Sequence, residues 1–442
     1  MYTRFTTNAK YRTMIIRTVK QLWKERGDNV WLFAELVIIA IFLWQAIDPL
    51  YTLNRVKNIP KGFNPENICR VHIHEYYISD KEYDASVDDS RKTQYASITS
   101  IFNNIVSLPE IESYYGGFCI PYGVTFTTIR LYYNENGEED NGEGRKEIEP
   151  YYYPASRGEF FKVLQIKDIK TGQYPTQLQK GEIQLSRSAA MELFGTTDCI
   201  GREVENEHGI RKLKITGVYE DFQPNPYMIP EPTVVANYAD NPPEFIYLRL
   251  KEGVDRDSFI KRFNEELRPT LRVGNRYAGT MVDFEYVIEE NMYNVTHESK
   301  NRFQLFISFF ALFCAFLGIV STFWIRTNDR RGEIGIMRSV GASRHRIIGQ
   351  FVTEALLLVS LAFAVALPLI AHLVIANDFA QPTDSITNEQ LARYSEAFAT
   401  APRFAVITVI TYLIIAATAA AAAIIPAARA CKTGIADALH EE

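Results

Sequence analysis

Two kinds of apolar pattern alternate along this chain: long uninterrupted runs, and short stretches in which apolar and polar positions trade places. Phe303–Ile325 carries no charge, Phe351–Ile375 holds Glu354, Pro368 and His372, and Phe404–Ile425 ends in an alanine-rich stretch before Pro426. A fourth run, Val30–Ile47, is interrupted by Glu35 and has Trp31 and Trp44 near its ends. About 20 apolar residues suffice to cross a bilayer as a helix. The pattern therefore predicts transmembrane helices at 30–47, 303–325, 347–375 and 404–425.

Between residues 48 and 302 no run reaches that length. Ile68–Ile78, Thr125–Tyr133, Ile183–Ser186, Leu213–Val218, Phe245–Leu250 and Val282–Glu289 read as strands, as does Ile111–Tyr115. Tyr95–Val106, Phe160–Val163, Arg187–Phe194 and Arg256–Leu267 read as helices, and Asn134–Gly144 as an acidic loop. Strand–helix–strand units at both ends with strands between them predict an α+β domain split by an insertion. The split parts fall at 68–115 and 243–290 and the insert at 120–240. The fold class expected is thus an α-helical membrane protein with four transmembrane helices and a large α+β extracytoplasmic domain.

Charge orients this arrangement. The net charge of −6 gives no general case for a nucleic-acid partner. Residues 49–302 carry 30 Lys+Arg against 39 Asp+Glu, whereas the first 28 residues carry seven basic and two acidic groups. Basic ends and an acidic middle place both termini on the cytoplasmic side. Residues 1–29 read as a cytoplasmic amphipathic helix on the membrane surface, 376–403 as a short outer loop and 426–442 as a cytoplasmic tail. No small-x-small cleavage site follows Ile47, so the first run is read as a retained span rather than a signal peptide. Cys69, Cys119 and Cys199 allow one disulfide outside the cell without requiring it.

The chemistry-bearing patterns are sparse. The chain has no GxxxxGK[ST], HExxH or GxSxG sequence and no Cys/His cluster. His72 and His74 share one strand face, but no third metal ligand is suggested by spacing. Glu265–Glu266 and Glu289–Glu290 are adjacent carboxylates that point apart and read as solvated faces. No catalytic, cofactor or metal site is expected.

One stretch is unlike the rest. Arg326 to Arg346 places six arginines against Asp329 and Glu333 between two spans. Within it Ile334, Ile336, Met337 and Val340 recur at roughly helical spacing, and Gly341-Ala-Ser is a stop-and-restart signal. A positive anchor needs no apolar stripe, so a structured segment that docks on a partner is expected.

The run RTNDRRGEIGIMRSVGASRHRIIGQFVTEALLLVSLAF, at Arg326–Phe363, resembles the hallmark of the FtsX-like/MacB-like ABC transporter permeases. The matching core is Glu333-Ile-Gly-Ile, Arg338, Gly341-Ala-Ser, Ile347, Gln350-Phe and Glu354-Ala-Leu-Leu. Glu159-Phe-Phe-Lys-Val-Leu, Gln184 to Gly195, and Gly201-Arg with Ile215 to Phe222 are similar to the MacB-type periplasmic core domain, a porter-like α/β part carrying a strand-rich insert. Residues 80–150 depart most from that pattern.

The resemblance implies a non-catalytic permease of the bacterial cytoplasmic membrane, working as a homodimer or with a similar permease. ATP and Mg would be held by a separate ABC ATPase, and this chain would bind no cofactor. Arg331, Glu333, Ile334, Ile336, Met337, Arg338, Val340 and Gly341 would form the ATPase-coupling element. Its expected function is mechanotransmission export of a lipidic, peptide or antibiotic substrate, with membrane lipids and a periplasmic adaptor as further partners. One rival reading is a regulatory permease that activates an envelope hydrolase or senses a ligand. Another is a membrane-anchored extracytoplasmic enzyme or adhesin.

Overall fold

A computed structural model describes residues 26–432 except 89, 124–126, 135–144, 156, 207–211, 238–242, 377–390, 392–393 and 396–399. The expected surface helix within 1–25 and most of the acidic loop lie outside the described residues, as do most of the outer loop and tail. The chain divides into two compact units, a helical one (Met1–Arg55 and Ser299–Glu442) and a sheet-rich one (Val56–Glu298).

Among the described residues, the sheet-rich unit has two sheets. The first is six-stranded and antiparallel throughout, with strands β1 (Ile68–Glu75), β2 (Ile111–Gly116), β7 (Arg157–Gly158), β12 (Phe245–Leu250), β13 (Arg272–Val273) and β14 (Arg276–Asp283) in the order β13-β14-β1-β12-β2-β7. Helix α2 (Arg91–Val106) joins β1 to β2, and α5 (Arg256–Arg262), extended by a π turn at Phe263–Leu267, lies between β12 and β14. Two strand–helix–strand halves interleaved as β14-β1-β12-β2 make a split β-α-β layer.

Strand alternation explains which face is covered. Cys69, Val71 and Ile73 of β1 pack with Ile98, Ile101, Phe102 and Ile105 of α2 and with Phe259 and Phe263. Each such fully buried side chain contributes about 1.5–3 kcal/mol. Arg249 of β12 is buried and donates to the carbonyls of Val163 (2.6 Å), Glu66 (2.8 Å) and Asn64 (2.6 Å). It thereby fastens the segment before β1 and helix α3 (Phe160–Leu164) to the sheet.

The second sheet is mixed and eight-stranded. Its strands are β3 (Thr127–Thr128), β4 (Leu131–Asn134), β5 (Arg145–Ile148), β6 (Tyr151–Pro154), β8 (Glu182–Ser186), β9 (Glu203–Asn206), β10 (Lys212–Tyr219) and β11 (Thr233–Ala236), in the order β3-β6-β11-β8-β10-β9-β4-β5. β8 and β10 are parallel, with α4 (Arg187–Phe194) in the connection. Ser186 caps α4 by accepting from the Ala189 N–H, and Gly195 ends it at φ +68°.

One expected strand is a helix. Val282–Glu289 divides between the end of β14 and helix α6 (Phe284–Glu290). The Asp283 carboxylate accepts from the Tyr286 N–H at 2.7 Å, which starts the helix, and Phe284 and Val287 then bury one helical turn apart. The three cysteines open to a disulfide are free thiols sealed in different clusters: Cys69 under α2, Cys119 between the sheets and Cys199 beneath α4.

Among the described residues, the helical unit contains four helices long and apolar enough to cross a membrane. They belong to α1 (Arg26–Lys57), α7 (Met292–Asp329), α9 (Arg344–Ala376) and α10 (Thr400–Ala430). α1 continues well past Ile47, through Pro49. There Asp48 forms a buried ion pair with Arg403 of α10 at 3.1 Å, and one turn earlier Trp44 donates to the Thr408 hydroxyl at 3.2 Å. The alanines of α10 serve close packing, since Ala419, Ala422, Ala423 and Ala427 are all buried. On α7, by contrast, Phe303, Phe306, Phe309, Phe310 and Phe313 are exposed, as suits a surface solvated by lipid.

Candidate functional site

The stretch between α7 and α9 is built as a short helix held at both ends. α7 ends at Asp329, Arg330 leaves helical geometry at φ −103°, ψ 18°, and α8 spans Arg331–Ser339. Gly341 closes α8 at φ +89°, a conformation that a side chain strains. Its N–H bonds to Arg338 O (3.0 Å), and the Ala342 N–H bonds to Met337 O (2.9 Å). This is the paired pattern of a Schellman stop, and it accounts for the Gly-Ala signal. Ser343 then opens α9, its hydroxyl accepting from the Arg346 N–H at 3.4 Å.

Helical geometry splits the apolar stripe. Ile334 is buried in the core of the helical unit with Ile347 and Phe351, and Met337 packs half-buried against the same core. Ile336 is 56 % exposed and Val340, one turn on, is 83 % exposed. The expectation that all four form one docking face is therefore corrected. Residues i and i+4 share a face, so 336 and 340 look outward together while 334 and 337 look inward. Glu333 and Gly341 are exposed, and Arg331 and Arg338 are half-buried.

The inward face is secured by an ion pair that was not assembled from the sequence. The Arg330 guanidinium donates to both oxygens of Glu354 on α9, at 3.0 and 3.3 Å, and to Glu333 at 3.0 Å. It lies 5.2 Å over the Phe351 ring. The Arg330 side chain is 11 % exposed and that of Glu354 2 %. Burial opposes the charge on Arg330, but Glu354 and then Glu333 outweigh it, so the guanidinium is held more firmly protonated than usual. The available clue was Glu354 itself, a carboxylate inside an apolar run, which requires a partner.

A second polar cluster lies within the sheet-rich unit, where the chain enters and leaves it. Gln223 is fully buried and donates to Val56 O (3.1 Å) and Met228 O (2.6 Å) while accepting from the Tyr122 hydroxyl (2.5 Å). Tyr122 is held at φ +66°. Asn291, just after α6, donates to the carbonyls of Tyr122 and Gly123. No periodicity marks these residues, and the sequence offered no signal for them.

The remaining candidates resolve as packing. His72 stacks on Phe245 at 4.1 Å, and His74 lies 4.1 Å from His72 and 5.6 Å from Tyr277. Burial, then the neighbouring His74 and Arg70, push His72 down to about 4. Glu290 pairs with Arg70 at 2.6 Å. Among the described residues no group of three or more His, Cys, Asp or Glu stands where it could hold a metal.

The FtsX-like permease C-terminal domain matches residues 305–434 and the MacB-like periplasmic core domain matches residues 84–266. The chain belongs to the FtsX-like/MacB-like family of ABC transporter permeases, which are non-catalytic membrane subunits. Its sheet-rich unit is the family's extracytoplasmic domain. Among solved structures it is similar to the periplasmic region of MacB from Actinobacillus actinomycetemcomitans, at 14 % identity over 54 % of this chain and 99 % of that one, with a TM-score of 0.32. It is also similar to the extracellular domain of the noncanonic ABC-type transporter YknZ from Gram-positive bacteria, at 10 % identity over 48 % and 99 % with a TM-score of 0.29. A domain of a Porphyromonas gingivalis permease protein shows 17 % identity over 53 % and 98 %, with a TM-score of 0.29. No match was found among curated proteins.

Proposed function

We propose that this chain is the membrane subunit of an ABC-type mechanotransmission exporter, in which α8 is the element seated on a separate ATPase. The observation that carries this reading is the outward pair Ile336 and Val340, exposed on a helix whose other face is locked by Ile334 and the Arg330–Glu354 pair. An exposed apolar pair beside basic side chains matches a partner contact, apolar at its centre and charged at its rim. Arg331, Arg338 and Gly341 would frame that contact, and Glu333 would serve inward through Arg330.

In this scheme two such chains, or this chain and a similar permease, pair with two ATPase subunits that hold ATP and Mg. Both termini and α8 face the cytoplasm, and the sheet-rich unit lies outside the cytoplasmic membrane. ATP-driven closure moves α8, the Arg330–Glu354 pair passes the movement to α9, and α7 carries it along its length. The substrate is lipidic, a peptide or an antibiotic, engaged outside the membrane with or without an adaptor.

The test is co-purification of the full chain with a co-expressed ABC ATPase. Ile336→Asp, Val340→Asp and Arg338→Glu should each abolish the complex and the stimulation of ATP hydrolysis. Retention of both properties in all three variants would falsify the assignment. Capture of an envelope hydrolase by the sheet-rich unit, with the ATPase complex intact, would replace export by regulation.

A further inference from the structure

Where α7 ends beside the end of α10, the helical unit holds a small cleft of about 50 Å³. Its walls include Trp324 and Asn328 of α7, Arg331 of α8, and Arg429 of α10. A water needs roughly 10–15 Å³ of such space, and small-molecule pockets start near roughly 300 Å³. The cleft therefore has room for a few waters or a single tetrahedral anion.

Its charge selects the anion. Arg331 and Arg429, from different helices, are both in its lining, and no acidic side chain is among its lining residues. The Arg429 guanidinium lies 4.7 Å over the Trp324 ring. Stacking occupies the face of a guanidinium and leaves its N–H donors in the plane, where they fit phosphate oxygens. Both α7 and α10 reach the cleft from apolar spans, and Trp324 lies near the end of its span, the position at which tryptophans are enriched in membrane helices.

We infer that this cleft binds the phosphodiester headgroup of an anionic phospholipid between Arg331 and Arg429, with the Asn328 amide beside it and Trp324 against the glycerol. Basic pockets between transmembrane helices take such headgroups. A lipid seated there touches the first residue of α8 and ties that helix to the bilayer. The inference requires that α7 and α10 span a membrane; it shares Arg331 with the proposed ATPase contact, and its test turns on Arg429, which that contact does not use.

Full-length chain in neutral-detergent micelles is titrated with brominated phosphatidylglycerol or brominated phosphatidylcholine. The Trp324 signal is obtained by subtracting the W324F variant. Quenching should reach its midpoint at about 25-fold less of the anionic lipid, about fivefold for each of the two arginines. Arg429→Gln should cut the preference to about fivefold, the share of the remaining Arg331, and Arg429→Lys should keep most of it, with an unchanged elution volume showing that each variant is folded. Equal quenching by both lipids, or an unchanged preference in Arg429→Gln, overturns the inference. Relief of the quenching by inorganic phosphate also overturns it, assigning the cleft to a free anion. A preference that emerges only after residues 433–442 are removed overturns it in favour of the acidic tail.

Discussion

Replacing Glu354 by Gln tests whether α8 is held by a charge pair or merely by its apolar contacts. The two partners lie 3.0 Å apart with side chains 11 % and 2 % exposed. At that separation, with an effective dielectric constant of about 20, the gross attraction is about 5.5 kcal/mol. Much of this survives in other forms, because Gln keeps one acceptor and Glu333 remains 3.0 Å from Arg330. The expected net loss is about 2 kcal/mol, below the roughly 3–5 kcal/mol typical of removing one member of a buried pair. Amide exchange of Ile334 to Val340, followed by mass spectrometry on the detergent-solubilised chain, should then accelerate about 30-fold, because 1.4 kcal/mol is about tenfold. Glu354→Leu should cost about 3 kcal/mol, and adding Arg330→Met should recover most of that loss. Exchange within twofold of wild type in Glu354→Gln, or strictly additive single and double substitutions, would refute the latch.

Other consequences can be read elsewhere in the molecule. Arg249→Met should leave three backbone carbonyls without their donor and lower the stability of the sheet-rich unit by about 3 kcal/mol in urea titration of the full chain. Arg249→Lys should recover little of this, since one ammonium on a flexible stem cannot reproduce the guanidinium fork. His72 is pushed down to about 4, so the unfolded chain takes up its proton first as pH falls. The contribution of His72 is fully present above about 6.5 and lost between there and about 4. Solvent screening at this half-exposed ring keeps the effect to about 1 kcal/mol, and His72→Phe should flatten the dependence of the urea midpoint on pH. Gly62→Ala should destabilise by about 2–4 kcal/mol, because Gly62 sits at φ +75° and an added Cβ would fall 2.4 Å from Asp221 O. Normal stability of that variant by thermal melting would show that the turn can relax.

Legibility followed periodicity. The apolar runs gave the four long helices because nothing but a bilayer or a large core rewards that many consecutive apolar residues. Ile68–Glu75 was legible as a strand because Cys69, Val71 and Ile73 alternate with Arg70, His72 and His74. Val282–Glu289 misled because its β-branched and aromatic residues resemble a strand until the Asp283 cap is counted. In the stretch between α7 and α9 the spacing revealed a helix but not which residues face inward, since that depends on what α9 presents. Ile334 and Ile336 differ by two positions and are nearly opposite on the helix. The Arg330–Glu354 pair and the Gln223 cluster join residues far apart in sequence, and pairings of that kind leave no trace in local pattern.

That Gln223 cluster makes the sheet-rich unit a gauge of separation. Val56, where the chain arrives, is bonded to Gln223, Gln223 to Tyr122, and Tyr122 with Gly123 to Asn291, where the chain departs. Two side chains and one strained tyrosine thus bridge the arriving and departing strands of the polypeptide. A displacement shared by both ends leaves this bridge slack, whereas drawing one end away from the other stretches it. Asn291→Ala should uncouple the two ends, since it removes the bonds from the departing chain to the Tyr122 loop.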